Sequence, residues 1–590
     1  MLISRRLGSI LFILVLLSLL LLAFDRIRQP ARFDPNNNHV PTWTRGKRIA
    51  CRGPRGRFLD KSRDDRLWEE ILDIPYPEPA AGSHEALKLR KTWMTADGRY
   101  GAYGYNEGKE SYSRKRVNWE KVEWAKLQNE CLQRNRHRFF DVAPVSSDRR
   151  FELRPSMWKE KIPLLKQPAE RPRVTGRTAV VLRGWDSFDF TEEDYINLRS
   201  MIVEAALVSG GEYSVYLLVH VRNKSRDIFA NDVNYDEALQ DIVPAELRDI
   251  AVLFDDRLLE SWYPDVESHH PNLQIYQALQ LFSHFYPEYD HVWNLELDTR
   301  FTGHFGHYLD ALSNFAASEP RKQAKERASF FLIPPIHGTY ADLTRSINTS
   351  LSGGGQWGPL LIPDIPHPLG PEPPVPTPEE DDFVWGVGDP ADLIAMNACA
   401  NVTRTEDWVY RDWVFRFRNG LATPRMFCPP AMSRSSRLLL SAVHDAQARL
   451  GLSVPSEATL PSFALWHGLK LSFPPYPWYQ SPASSPADLN NLFNGGLPGS
   501  IANASEGMAY GEGMYNARPH YKQTNTATWW WSSPFPQRII DAWWGKGKWE
   551  DVRDGDGREL PSVLRWHVGR VWAPNLALHP VKTNRAPTNS

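Results

Sequence analysis

From residue 178 the chain alternates short apolar runs with amphipathic stretches. "TAVVLR" (178–183) is a bounded apolar run and predicts a buried strand. Thr191 and Asp194 then make a helix N-cap signature, and "EDYINLRSMIVEAALV" continues it as a helix to a Ser209-Gly210-Gly211 stop. "YSVYLLVHV" (213–221) predicts a second strand and "IAVLF" (250–254) a third. "NLQIYQALQLFSHF" (272–285) has helical spacing and feeds "YDHVWNLELDTRFTGH" (289–304), a strand-like run that ends in two acids. Strand, helix and strand within about forty residues make a βαβ unit, and that unit requires a parallel sheet.

Side chains alternate along a strand, so Val292, Asn294, Glu296 and Asp298 share one face, while Trp293, Leu295 and Leu297 share the other as core. Two carboxylates side by side at a strand end are costly unless a cation or solvent compensates. Open α/β sheets bind ligands at the carboxyl edge of their strands. The pair therefore predicts a hard divalent cation, Mg²⁺ or Mn²⁺, shared with a substrate diphosphate; the plainer reading is a solvated strand end.

Around this region the organisation is uneven. Arg5 and Arg6 precede "LGSILFILVLLSLLLLAF", eighteen uncharged residues. We read 1–6 as a cytoplasmic tail and 7–24 as an uncleaved transmembrane signal anchor, since Leu21 is bulky where signal cleavage prefers a small residue. Residues 25–65, rich in Pro, Asn and Arg, read as a stem. Residues 66–170 read as an N-terminal module, with "VNWEKVEWAKLQNECLQRN" an amphipathic helix docked on the next domain. A stretch with nine prolines in twenty positions (359–378) marks a loop, 346–380, between an α/β half (175–345) and a C-terminal half (381–590).

The net charge of −1 gives no support to a nucleic-acid partner. Four cysteines without CxxC spacing allow three pairings as well as free thiols, Cys51–Cys131 with Cys399–Cys428 being the simplest by proximity. An even count and four Asn-x-Ser/Thr sites (Asn223, Asn348, Asn401, Asn503) are compatible with a luminal domain. The 23 Trp residues fill cores for the most part, and Trp faces also stack on the C–H faces of sugars. P-loop, HExxH and GxSxG motifs are absent, and no dinucleotide GxGxxG follows a strand.

"FSHFYPEYDHVWNLELDTRFTGHFGHYLDAL" resembles the segment of GT-A-fold glycosyltransferases in which helix, Tyr-Asp, apolar strand, Asp-x-Asp, Thr and a Gly-containing turn follow in order. The resemblance puts Glu296 in the place of the first acid and Asp298 in the second. It implies that Asp298 ligates the metal and that Glu296 acts through water or on the donor ribose. Glu in the first position departs from the family pattern. "CRGPRG", "TWMTADGRYGAYGYNE", "AVVLRGWDSFDFT", "WNLELDTRFTGH", "WGVGDPADLI", "HGLK", "ATWWW" and "LHPVK" together resemble a fungal family labelled only as a domain of unknown function.

His579 and Lys582 in "LHPVK" resemble the C-terminal pattern by which some GT-A enzymes complete the metal site and grip the diphosphate; His467 and Lys470 in "HGLK" compete for that role. His304 and His307 follow the acids at helical spacing, with packing the plainer role. Arg183 and Trp185 occupy the place where the resemblance puts a nucleotide base. It also expects a carboxylate from the second half as base or acceptor anchor. Asp389 and Glu406, the latter beside Asp407, are the candidates, although Asp389 before Pro390 also reads as the N-cap of a helix. Trp529–Trp531 reads as a core plug, with a sugar platform as the alternative.

These readings predict a GT-A-like, mostly parallel α/β sheet flanked by helices, held in the Golgi or ER membrane as a single-pass type II protein. The expected activity is metal-dependent transfer of a sugar from a nucleotide donor to a glycan, protein or lipid. The rival is a non-catalytic membrane-anchored scaffold or glycan-binding protein. Acids one residue apart suit poorly the flanking pair that a glycoside hydrolase needs.

Overall fold

The computed structural model describes residues 47–109, 114–139, 176–405, 408–494, 525–546 and 560–582. The anchor and most of the stem lie outside these residues. Among those described, no helix is long and apolar enough to cross a membrane.

The apolar runs become strands β1 (Thr178–Trp185), β2 (Tyr213–Val221), β3 (Ala251–Asp255) and β4 (His291–Glu296). With β5 (Leu393–Ala395), β6 (Met432–Ser436) and β7 (Leu471–Ser472) they form one seven-stranded sheet in the order β7-β5-β6-β4-β1-β2-β3. β4, β1, β2 and β3 pair in parallel, as the βαβ pattern requires, and β7 runs parallel to β5. β6 is antiparallel to both its neighbours, so it reverses the chain between the two parallel groups.

Every residue of β2 is buried, and so are Val292, Trp293, Asn294 and Leu295 of β4. The core therefore takes both faces of β4, as expected for a central strand covered on either side. The face shared by Val292 and Asn294 is packed as well, and only its end, at Glu296, opens.

Helix α1 (Trp124–Asn135) docks on the sheet where a strand is missing. Its Gln128 accepts from the Val215 amide at 2.7 Å and donates to the Val215 carbonyl at 3.2 Å. That residue precedes the start of β3, whose pairing with β2 begins at Leu217, so the side-chain amide satisfies backbone groups that would otherwise be orphaned. Helix α2 (Glu192–Met201) begins at the expected Thr191/Asp194 capping box and passes into a π-helical stretch, Ile202–Leu207. Helices α3 (Gln277–Phe285), α4 (Phe305–Ser318), α5 (Arg437–Leu450) and α6 (Ser456–His467) complete the part that bears on the site.

One expected element is different. Asp389-Pro390 does not open a helix; the chain runs through Asp392 into β5. The Asp392 and Leu393 amides reach the Lys470 carbonyl at 2.8 and 3.0 Å, and the Asp392 carbonyl accepts from the Ser436 amide at 2.7 Å. Partners in neighbouring strands claim this backbone, overriding the local cap signature.

The cysteines pair as Cys51–Cys131 and Cys399–Cys428. The first ties the segment ahead of the module to α1. The second lies beside the ladder in which Ala400 and Asn401 pair with Phe427 and Met426.

Candidate metal centre

β4 ends at Glu296, and the turn that follows carries Asp298. Three clamps hold this turn. Asn197 of α2 donates to the Thr299 carbonyl at 3.0 Å, and Arg300 is ion-paired with Asp194. Arg99 and Tyr100 each donate to the Phe301 carbonyl at 3.2 Å. The capping residue of α2 thus serves twice, since Asp194 also anchors the arginine beyond the acids.

The C-terminal run arrives from the other side. Ala577 and Leu578 pair antiparallel with Phe301 and Arg300, and the Val581 amide donates to the Asp298 carbonyl at 2.8 Å. A Cβ on Gly303 would stand 2.7 Å from Asn575 Oδ1, so any larger residue there would displace the Asn575 side chain. The pairing delivers His579 to the acids. Its Nε2 lies 2.9 Å from Glu296 Oε2 and 3.4 Å from Asp298 Oδ1. Glu296, Asp298 and His579 each offer a ligand atom, all within 4.8 Å of one another.

Arg183, expected beside a nucleotide base, reaches the acids. Its Nη2 donates to Glu296 Oε1 at 3.0 Å. The register explains the pair, because Arg183 of β1 is the parallel-ladder partner of Glu296 in β4. Glu296 is thus bracketed by two cations, and its carboxyl is held down to about 2. Burial alone would raise it, but the His579 hydrogen bond and the Arg183 charge outweigh burial. For His579, burial opposes the charged ring, yet the neighbouring Asp298 and Glu296 carry its pKa up to about 9.

Asp298 is placed differently. Its Oδ1 is buried and accepts no hydrogen bond among the described residues, although the His579 ring is within ion-pair range. Side-chain exposure is 19% for Asp298 and 33% for Glu296, so the group is reached from solvent on its acidic side while His579 is buried at 4%. An orphaned carboxylate oxygen, a second carboxylate and an imidazole nitrogen form a donor set suited to Mn²⁺ or Mg²⁺, which fits the expected ion.

The other expected residues fall elsewhere. Lys582 is exposed just beyond Val581. Trp185 is exposed at the end of β1, with the Arg222 guanidinium 5.5 Å from its ring centre. Leu393 pairs with Ser435, which pairs with Val292, so Asp389 and Asp392 precede β5 at the amino edge of the sheet, opposite Glu296. There Asp389 faces Arg321 at 3.5 Å.

Lys470 sits at the same far edge and spends its ammonium on the carbonyls of Ala317, Gly386 and Asp389, at 3.1, 2.8 and 2.8 Å. His467 is buried at the end of α6. "HGLK" is therefore a structural clasp in this fold, and "LHPVK" is the motif that meets the acids. His304 caps α4 by accepting from the His307 amide, and the two rings stack with centroids 3.8 Å apart. Trp529 and Trp530 are plugged into the core while Trp531 is exposed. Glu406 and Asp407 lie outside the described residues.

Sequence reasoning missed Glu457, in the first turn of α6. Burial, reinforced by the Glu296 charge, pushes its carboxyl up to about 7, and its Oε2 is buried without a hydrogen-bond partner among the described residues. Its only sequence signal is an acid at a helix start, which ordinarily complements the helix dipole.

No curated protein matches this chain. A family model described as "Protein of unknown function (DUF3405)" matches residues 94–583, a span that takes in the clamped turn, the whole sheet and the returning "LHPVK" segment, and the chain belongs to that family.

Proposed function

We propose that this protein is a metal-dependent glycosyltransferase of the secretory pathway. It moves a sugar from a nucleotide donor to a hydroxyl of a glycan, protein or lipid, and its sheet is of GT-A type. The observation that carries this reading is the meeting of Glu296, Asp298 and His579 at the carboxyl edge of the parallel strands, where open α/β sheets bind ligands.

Asp298 supplies a carboxylate oxygen, and His579, once deprotonated, the nitrogen ligand. Glu296 contributes its Oε2, because its Oε1 is taken by Arg183. A bound Mn²⁺ or Mg²⁺ supplies charge that stabilises the departing diphosphate. With the His579 ring neutral, the two acids and Arg183 leave the residues at a net charge of −1. The loaded site is then positive and suited to a diphosphate anion. Arg183 and the exposed Lys582 add donors for phosphate oxygens. Trp185, exposed at the end of β1, offers an aromatic face to a nucleotide base. Glu457 is the nominated base for the acceptor hydroxyl, since its unpaired carboxylate oxygen lies in reach of the Glu296 charge and burial raises its pKa.

Two disulfides support an oxidising compartment. Together with the N-terminal apolar run they favour a type II protein of the Golgi or ER membrane with a luminal body.

The test is a thermal-shift screen on the full-length protein in detergent. UDP or GDP with Mn²⁺ raises Tm by roughly 2 °C or more, and Asp298→Ala abolishes the rise. The rival, a membrane-anchored scaffold, draws on the Arg183–Glu296 pair, which already neutralises one acid. Failure of every nucleotide with every divalent metal would overturn the transferase reading and favour that rival.

A further inference from the structure

Away from the acids, the segment just before the "LHPVK" run helps to build a second concavity. It is a cavity of about 460 Å³ lined by Trp68, Asp97, Asn106, Arg114, Trp544 and Trp566, among others. None of Glu296, Asp298 or His579 lines it. Four indoles stand around one opening, Trp543 with the three just named, in a fold that buries most of its large aromatics. Trp68 is 53% exposed and Trp566 44% exposed, although each is of a size that the core readily takes.

The polar groups between these rings are built into the fold. The Arg114 side chain is only 5% exposed, and its guanidinium lies 4.7 Å from the centre of the Trp68 ring. Its Nη1 donates to the Asp97 carbonyl at 3.1 Å, while Nε and Nη2 are buried with no hydrogen-bond partner among the described residues. Trp544 Nε1 is orphaned in the same way. Buried donors without partners are costly in a folded protein, and Arg114 and Trp544 hold theirs in the wall of this cavity. Trp566 is presented on the hairpin formed by Arg565–His567 and Arg570–Pro574, whose second strand pairs with Trp93–Met94.

From this arrangement we infer that the cavity is a saccharide-binding subsite, taking an uncharged oligosaccharide segment with sugar rings against Trp566 and Trp68. A pyranose ring has an apolar C–H face and a rim of hydroxyls. Indole faces meet the first, and the Asp97 carboxylate, the Asn106 amide and the Arg570 guanidinium of the lining meet the second. Asp97 lies 3.9 Å from Arg114 Nη1, so that pair cancels in charge, and the one other charge of the lining, Arg570, is exposed and screened by solvent, which leaves the inner wall suited to a neutral ligand. The inference does not depend on sugar transfer, because a scaffold would bind through the same wall. If transfer occurs, the groove holds the acceptor glycan.

The experiment titrates full-length protein with uncharged hexasaccharides built on mannose, glucose or N-acetylglucosamine, following tryptophan fluorescence up to roughly millimolar concentrations. At least one saccharide binds. Trp566→Ala, which removes an exposed ring and keeps the wild-type Tm, weakens that binding by roughly three- to tenfold. Asp298→Ala leaves it unchanged, which separates this site from the metal centre. The inference is overturned if no saccharide binds, if Trp566→Ala binds as well as wild type, or if UDP alone displaces the bound sugar from the Asp298→Ala protein.

Discussion

His579 carries a proton that any divalent cation at this site must displace. Its folded pKa of about 9 stands above the ordinary 6.5, because Asp298 and Glu296 outweigh burial. A raised value means that the pair contributes its full stability below about pH 6.5 and loses it as pH climbs through about 9. Metal-free wild type should therefore exceed His579→Gln in urea stability by on the order of 2 kcal/mol near pH 6, with the gap closing above pH 9. A constant gap would contradict the assignment. Mn²⁺ affinity should conversely rise with pH, by up to about tenfold per unit below pH 9, because one proton leaves as the metal binds. At this scale the two acids were legible as an odd pair at a strand end, and His579 through the resemblance of "LHPVK". The Arg183–Glu296 bond was not, because it depends on the register of two strands whose partners are 113 residues apart in sequence.

The hairpin that presents Trp566 turns through Val568 and Gly569, both at positive φ (49° and 69°), with His567 paired to Arg570. That is a two-residue turn with both central residues left-handed, a geometry that favours Asn-Gly and penalises a β-branched side chain. Val568 is also 81% exposed, so it gains little from packing. Val568→Asn should stabilise the protein by about 1 kcal/mol in chemical denaturation; a loss of stability would mean that valine makes a contact outside the described residues. Elements were legible where the hydrophobic period was long, as in β1, α2 and β2. Around Asp389 the pattern was short and the cap chemistry pointed to a helix. Sheet neighbours won, because the Lys470 carbonyl and the Ser436 amide both needed partners.

Across the molecule, the last described residues return to the middle of the chain. Residues 577–581 lie beside the turn at 298–301, and the site does not exist until that return is made. The βαβ order and parallel pairing could be read ahead of the structure. The insertion of antiparallel β6 beside β4 could not, since "MSRSS" has no apolar alternation to announce a central strand. The cysteines read as a disulfide set, and nearest-neighbour pairing is what the fold adopts. The Cys399–Cys428 loop, with a sequence separation of 29, should contribute about 3 kcal/mol. Replacing both cysteines with alanine should cost that much in equilibrium denaturation; a cost below about 1 kcal/mol would show that the short ladder holds without it.

The central claim is that three residues, two from the middle of the chain and one from its C-terminal segment, hold one cation. Electron paramagnetic resonance of Mn²⁺ titrated into the full-length protein near pH 7.5, with UDP or GDP present, reads it directly. The account predicts one tightly held Mn²⁺ per chain, lost in Asp298→Ala and weakened in His579→Gln. A spectrum of free Mn²⁺ throughout, or equal binding by wild type and Asp298→Ala, would contradict it.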